Sequence, residues 1–194
     1  LFFSSMGIVY KLKTHKIPSG SPTSKGKALV NLLPLRSGEK ITTTMPYNLS
    51  DKKNNIIFAT SLGNIRRNKL NDFHNINANG KIAMKLKEKD SLVNVVVCSD
   101  RDNIFMSSRL GKCVRFSCKD LRVFSGRSSV GVRGVKLSNT DSIISLAILN
   151  GFDFAVEERD EYLKICSAER KNDKLEAEIL DEKKMQSLKM GSLL

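Results

Sequence analysis

Residues 57–97 read IFATSLGNIRRNKLNDFHNINANGKIAMKLKEKDSLVNVVV, and the order of features in this stretch decides the fold class. A short apolar run, 56–59, meets a turn at Gly63 and continues as a basic strand over 65–70. A polar loop ends at Asn79-Gly80, an alternating strand covers 81–86, and the charged turn Glu88-Lys89-Asp90 leads into an apolar strand over 92–97. Four short strands separated by turn residues are predicted, and no 3.6-residue period accounts for the pattern.

The same succession occurs before and after this stretch. Gly7, Gly63 and Gly111 each follow a short strand-like run; four residues on stands a base (Lys11, Arg67, Arg115), and ten residues on an apolar side chain (Ile17, Phe73, Leu121). A second glycine recurs as Gly26, Gly80 and Gly131, and an acidic turn residue as Glu39, Asp90 and Asp141, 51 residues apart each time. Repeats near 50 residues, each a four-strand unit, mark radial all-β architectures of the propeller kind. The expected repeats are about 2–46, 56–98 and 104–149. Chance similarity among basic strands is the competing explanation, and several landmarks kept in order across three copies weigh against it. The glycines lack the GK[ST] ending and the following helix of a phosphate loop, and are read as turn positions with positive φ.

Within the first repeat, a strand is expected over 8–13, with Lys11 and Lys13 on one side and Tyr10 and Leu12 on the other. Pro18, Gly20 and Pro22 break regular pairing through the next loop. The segment 28–33 reads as a strand too apolar to be an exposed edge, and a turn at 37–40 leads into a strand over 41–45. Residues 47–55 are polar and turn-rich, a linker. The third repeat carries a basic loop at 124–129 and an alternating segment at 132–137. After Leu149 the composition changes: 152–190 is charged, nearly free of Gly and Pro, and has apolar residues at helical spacing, with Asp160 and Lys164 placed as an i, i+4 pair. One or two exposed helices, partly disordered, are expected there, in a charged insertion spanning 150–194.

Charge separates the two parts. The chain carries +13, but residues 1–149 hold 25 Lys and Arg against 9 Asp and Glu, a net of +16, whereas 150–194 carry a net of −3. A repeat body so basic repels itself unless a polyanion is near, and nucleic acid is the usual one; a merely solvated basic surface is the plainer reading. No run approaches the roughly 18 apolar residues of a membrane span, and no signal-peptide pattern opens the chain. Leu1 is not an initiator Met and the first repeat starts in mid-strand, so a piece of a longer protein is expected. Cys98, Cys113, Cys118 and Cys166 show no metal-finger spacing and are read as free thiols in a reducing cytoplasm. Cys113 takes the slot of Val9 and Ile65, which points to a small core residue.

The stretches MGIVYKLK (6–13), IP (17–18), GKALVNLLPL (26–35) and GVRGVKL (131–137) closely resemble the C-terminal domain of the bacterial DNA gyrase A protein, over about residues 2–149. The A protein of topoisomerase IV has an equivalent domain. The resemblance implies a six-bladed β-pinwheel whose blades exchange strands, of which this chain would hold a part. It also implies that double-stranded DNA bends around a basic rim, supporting negative supercoiling by an A2B2 holoenzyme with the gyrase B protein, in the bacterial cytoplasm on the chromosome. ATP and Mg2+ would act through other domains, and no cofactor is expected in this stretch. The family's catalytic tyrosine follows an arginine, whereas Tyr10, Tyr47 and Tyr162 follow Val9, Pro46 and Glu161; this part is expected to be non-catalytic. The glycine-arginine box needed for wrapping normally lies before the point at which this chain starts.

The nominated DNA contacts are bases on the strand after each first glycine, Lys11, Lys13, Arg66, Arg67, Lys69, Lys112 and Arg115, and those flanking the second glycine, Lys25, Lys27, Lys81, Arg127 and Arg133. Such bases grip phosphates without reading sequence, because each replaces condensed counterions. With aromatics at 6% and no Trp, stacking platforms for single strands are not evident. On this reading a double charge reversal, Arg67→Glu with Arg115→Glu, weakens DNA binding and leaves the fold intact. His15 and His74 read as surface loop residues without metal or nucleophile spacing. A basic propeller serving as a protein-interaction scaffold is the alternative from another class, and a catalytic propeller the more distant one.

Overall fold

The computed structural model describes residues 1–48, 54–151 and 155–171. The chain divides into two units, Leu1–Leu149 and Asn150–Leu194. The first is all β apart from single turns of 3-10 helix.

Each repeat opens with an antiparallel hairpin: β1 (Phe2–Ser4) with β2 (Ile8–Tyr10), β4 (Asn55–Thr60) with β5 (Asn64–Lys69), and β8 (Asn103–Ser108) with β9 (Cys113–Ser117). The three turns are the same device. The N–H groups of Gly7, Gly63 and Gly111 donate to the carbonyls of Ser4, Thr60 and Ser108 at 3.0–3.1 Å, with φ of +73 to +81°. Each repeat ends in a strand that returns onto the first: β3 (Ile41–Thr44) on β1, β7 (Leu92–Cys98) on β4, and β12 (Ile143–Leu149) on β8.

The remaining strands of the second and third repeats join the sheet before them. β6 (Lys81–Ile82) pairs with β2, while β10 (Val123–Phe124) and β11 (Val132–Arg133) pair with β5. The first sheet is therefore completed to four strands and the second to five by exchange, the third has three strands among the described residues, and none is built from four consecutive strands. The expected strand over 81–86 is cut to two residues because Ala83 and Met84 turn to donate to the Gly7 carbonyl. The close crossing needs glycine: a Cβ at Gly131, φ +76°, would lie 2.3 Å from the Ile65 carbonyl oxygen.

The expected strand over 28–33 is corrected. Leu29–Asn31 form a 3-10 turn, and Val30 is 65% exposed. Its counterparts in the later repeats pair with the preceding repeat's second strand, and within these residues no earlier hairpin offers that edge. The same reason corrects Cys113. Val9 and Ile65 are buried where an exchanged strand covers them, whereas β9 has no such neighbour here and Cys113 is exposed. The strand expected over 8–13 stops at Tyr10, and Lys13 leads into the turn Thr14–Lys16.

The central hairpin explains its own sequence. In β4, Ile56 and Phe58 face a core shared with Phe3, Val9 and Phe73, whereas Ile57 and Ala59 face a second core with Ile104, Met106 and Leu146. A strand covered on both faces reads as a continuous apolar run. β8, covered on one face, alternates instead. Phe3, Phe58 and Phe73 meet with ring centroids 5.4–6.2 Å apart.

The recurrent acids close the hairpin turns. Asp90 Oδ1 accepts from Ser61 Oγ, Leu62 N and Ser91 N at 2.9–3.0 Å; Asp141 Oδ1 accepts from the matching Leu110 N and Ser142 N at 2.9–3.1 Å, and its Oδ2 from Ser108 Oγ at 2.7 Å. Glu39 accepts from Tyr10 Oη and Arg36 N, both at 2.8 Å. Burial and this bond push the Tyr10 phenol up to about 12. For Asp141, burial opposes ionisation, but the bonds from Ser108, Leu110 and Ser142 outweigh it and hold the carboxyl below its ordinary value. A carboxylate depressed in the folded state stabilises above its unfolded pKa, about 3.9, and loses that contribution as pH falls through the folded value. Acid titration followed by circular dichroism is thus expected to destabilise the wild type below about pH 4. Asp141→Asn is expected to lower the melting temperature at pH 7 and flatten the acid limb. A variant with the wild-type acid limb would remove Asp141 from this role.

In the second unit, α1 (Val156–Lys171) is a charged helix, and Asp160 pairs with Arg159 at 2.8 Å, not with Lys164. The rest of the expected helical region, 152–154 and 172–194, lies outside the described residues, as do residues 49–53 of the linker.

Candidate nucleic-acid interface

The twelve nominated bases fall into three groups. Lys11, Lys13, Lys25, Lys27, Lys69, Lys112, Arg115 and Arg133 are exposed; Lys81 and Arg127 are half-buried. Arg66 and Arg67 are 0% and 5% exposed, which corrects their expected place on the rim.

Arg66 is walled in by the exchanged segments. Its Nε donates to Asn68 Oδ1 (2.8 Å), Nη1 to the carbonyls of Arg127 (2.7 Å) and Ser129 (2.8 Å), and Nη2 to the carbonyl of Ala83. The guanidinium lies 5.3 Å from the Phe58 ring centroid. Burial, with the nearby Arg127 charge, draws its pKa down to about 10, so it remains charged at neutral pH. The sequence signal lies in the pair itself. Consecutive residues of a strand point to opposite faces, so Arg66 and Arg67 cannot both look outward from one side. Asn68 stands two residues on, as the polar partner a buried base needs.

Arg67 shows what the base four residues after the turn glycine does in the second repeat. Its Nη1 donates to the carbonyls of Cys118 (2.8 Å) and Leu121 (3.1 Å), and Nη2 pairs with Asp100. In the first repeat Lys11 Nζ makes the corresponding reach, 2.9 Å to the carbonyl of His74, over the Tyr47 ring at 5.7 Å. His74 is half-buried, its Nδ1 3.3 Å from Tyr47 Oη, and so less of a surface residue than expected. Both bases bridge from one repeat to the turn of the next. Arg115, in the third repeat, is exposed. The matching position across repeats that suggests a DNA rim is, in the first two, a clamp between blades.

Besides Lys11, two nominated bases are partly used within the fold: Lys81 Nζ donates to the Asn75 carbonyl (3.2 Å) and Arg127 to that of Asp72 (3.4 Å). Of the twelve, only Arg67 has a carboxylate within 4.0 Å among the described residues. Exposed bases outside the nominated set include Lys119 and Arg122, the latter stacked 4.2 Å over the Phe124 ring. Neither stands at a landmark shared by the repeats, so spacing does not single them out. Among the described residues, no three His, Cys, Asp or Glu side chains are grouped to hold a metal ion, and no helix is long and apolar enough to cross a membrane.

Residues 1–48, 54–99 and 102–150 match the family model described as DNA gyrase C-terminal domain, beta-propeller. The chain is 44% identical over 191 residues to the DNA gyrase A protein of Granulibacter bethesdensis, covering 93% of this chain and 20% of that protein. It is 46% identical over 168 residues to the DNA gyrase A protein of Rickettsia conorii, covering 85% and 19%. The chain thus spans about a fifth of the length of these curated relatives. Among solved structures, a C-terminal domain of DNA topoisomerase IV superposes with a TM-score of 0.70 at 20% identity, covering 77% of this chain and 46% of that one. A DNA gyrase A C-terminal domain superposes with a TM-score of 0.63 at 24% identity, covering 76% and 46%. At these identities the two structures speak to the fold alone.

Proposed function

The chain belongs to the DNA gyrase C-terminal domain family, and from that membership we propose that it is a DNA-binding and DNA-bending module of a gyrase A-type protein. The observation that carries this reading is charge left uncompensated. The repeat body holds a net +16, and among the described residues only Arg67 of its nominated bases has a carboxylate partner. The ten nominated bases that are not buried are what a phosphate backbone would neutralise, each contact releasing condensed counterions without reading sequence. The module works within a holoenzyme of A2B2 type with the gyrase B protein, on the chromosome in the bacterial cytoplasm. The holoenzyme introduces negative supercoils, and ATP, Mg2+ and the cleaving tyrosine are supplied by parts outside this chain.

The test is duplex binding by this chain against length and salt, with linking number read after ligation of a nicked circle. The expected result is affinity that rises with duplex length, falls with a log–log salt slope of about −0.9 per phosphate contact, and shifts linking number in one direction. Binding without a shift would overturn bending by this stretch and leave a passive basic clamp. No binding at low salt would overturn the DNA reading in favour of a scaffold for an acidic protein.

A further inference from the structure

Two thiols that the DNA reading does not use face each other across the junction of the second and third repeats. The sulfurs of Cys98 and Cys118 are 3.1 Å apart, and both residues are buried, at 3% and 0% exposure. We propose that this pair is a latent disulfide which, once oxidised by a small peroxide, fastens the third repeat to the second.

Placement gives the bond its consequence. Cys98 ends β7 and is paired there with Asn55 of β4, inside the second sheet. Cys118 begins the 3-10 turn Cys118–Asp120, which carries the chain from β9 in the third sheet to β10 on the edge of the second. Each backbone is already held: the Cys118 N–H donates to the Asp102 carbonyl at 2.9 Å, and its carbonyl accepts from Arg67 at 2.8 Å. Disulfide formation therefore asks the two sulfurs, 3.1 Å apart, for a closure of about 1 Å, to the usual S–S distance near 2.05 Å. A metal site is excluded by ligand count, since the pair has no third His, Cys, Asp or Glu grouped with it among the described residues.

The surroundings also divide the roles. The contact between the two sulfurs, together with burial, holds the Cys98 thiol above the ordinary range. The same contact, aided by the Arg67 charge and opposed by burial, holds Cys118 below it. Arg67, whose Nη1 binds the Cys118 carbonyl, also lines a surface groove with Asn54, Ser99 and Asp100. The Cys118 thiolate attacks one peroxide oxygen, the O–O bond breaks, and hydroxide leaves and is protonated to water. Cys98, giving its proton to solvent, then attacks the sulfenic sulfur; the S–O bond breaks and, with one proton, releases a second water. Two thiols and one hydrogen peroxide become one disulfide and two waters. Sulfur is oxidised, peroxide is reduced, and a small dithiol reverses the change.

The experiment uses the 194-residue chain with Cys113→Ser and Cys166→Ser, which removes the exposed and half-buried thiols and leaves the buried pair. After treatment with hydrogen peroxide, residual thiols are alkylated, the protein is digested without reductant, and peptides are identified by mass. The expected result is a linked peptide pair containing Cys98 and Cys118, with a melting temperature raised by about 5 °C or more and restored by dithiothreitol. The wild-type chain under the same treatment should give the same linked pair, which keeps the test independent of how the double variant folds. Alkylation of both thiols after oxidation, or bridges found only between molecules, would overturn the proposal. A linked pair with an unchanged melting temperature would overturn its fastening role.

Discussion

Arg67→Glu is expected to destabilise the repeat body by about 3–5 kcal/mol, a large share of the roughly 5–15 kcal/mol typical of a folded domain. The ion pair with Asp100 is not the main reason, because the Asp100 side chain is 65% exposed and such pairs are worth little. The cost comes from the buried end. The carbonyls of Cys118 and Leu121 lose their donor, and a carboxylate is set against them at a position only 5% exposed. Arg66→Ala should be comparably severe, since the carbonyls of Ala83, Arg127 and Ser129 in two exchanged segments lose one guanidinium together. Arg115→Glu, at the matching position of the third repeat but exposed, should stay within about 0.5 kcal/mol of wild type. Urea unfolding followed by circular dichroism separates the three. An Arg67→Glu chain with the wild-type midpoint and weakened DNA binding would return Arg67 to the interface. The double reversal of Arg67 and Arg115 expected from the sequence to spare the fold therefore does not isolate DNA binding.

Reversal of Lys13, Lys25 and Lys27 to glutamate is expected to do what that pair cannot. All three are exposed, and among the described residues none has a carboxylate within 4.0 Å, so the fold should keep its urea midpoint. If all three lie against phosphates, the log–log salt slope should become shallower by about 2.7, at about 0.9 per contact, for any duplex sequence. Lys11 is left out of the set because its Nζ is bonded to His74 across the blade junction. Fluorescence anisotropy with a duplex at several salt concentrations measures the slope. An unchanged slope with a stable fold would move the phosphate contacts to the other exposed bases, such as Lys112 and Arg133.

Much of the architecture is legible along the chain because it is local. Gly7, Gly63 and Gly111 stand at positive φ because a tight turn requires it, and Asp90 and Asp141 each accept from the N–H of the next residue, Ser91 and Ser142. The run Ile56–Ile57–Phe58–Ala59 announces a strand, and its lack of alternation follows from cover on both faces. The exchange of β6, β10 and β11 is absent from any one repeat's pattern, since two-residue strands carry no period and take their partners from another repeat.

The three repeats, their turns, the placement of +16 on the repeat body and the family to which they belong therefore follow from the order of residues alone. Which positive charges face solvent follows only from the packing of one repeat on the next. Lys11, Arg67 and Arg115 share one position in the repeat, yet Lys11 reaches the His74 carbonyl, Arg67 is sealed against Cys118 and Leu121, and Arg115 is exposed. The physical reason is that burial on an exchanged blade belongs to the neighbour. A side chain's own strand sets its direction, but the segment arriving from the next repeat sets whether that direction ends in water or in a row of carbonyls.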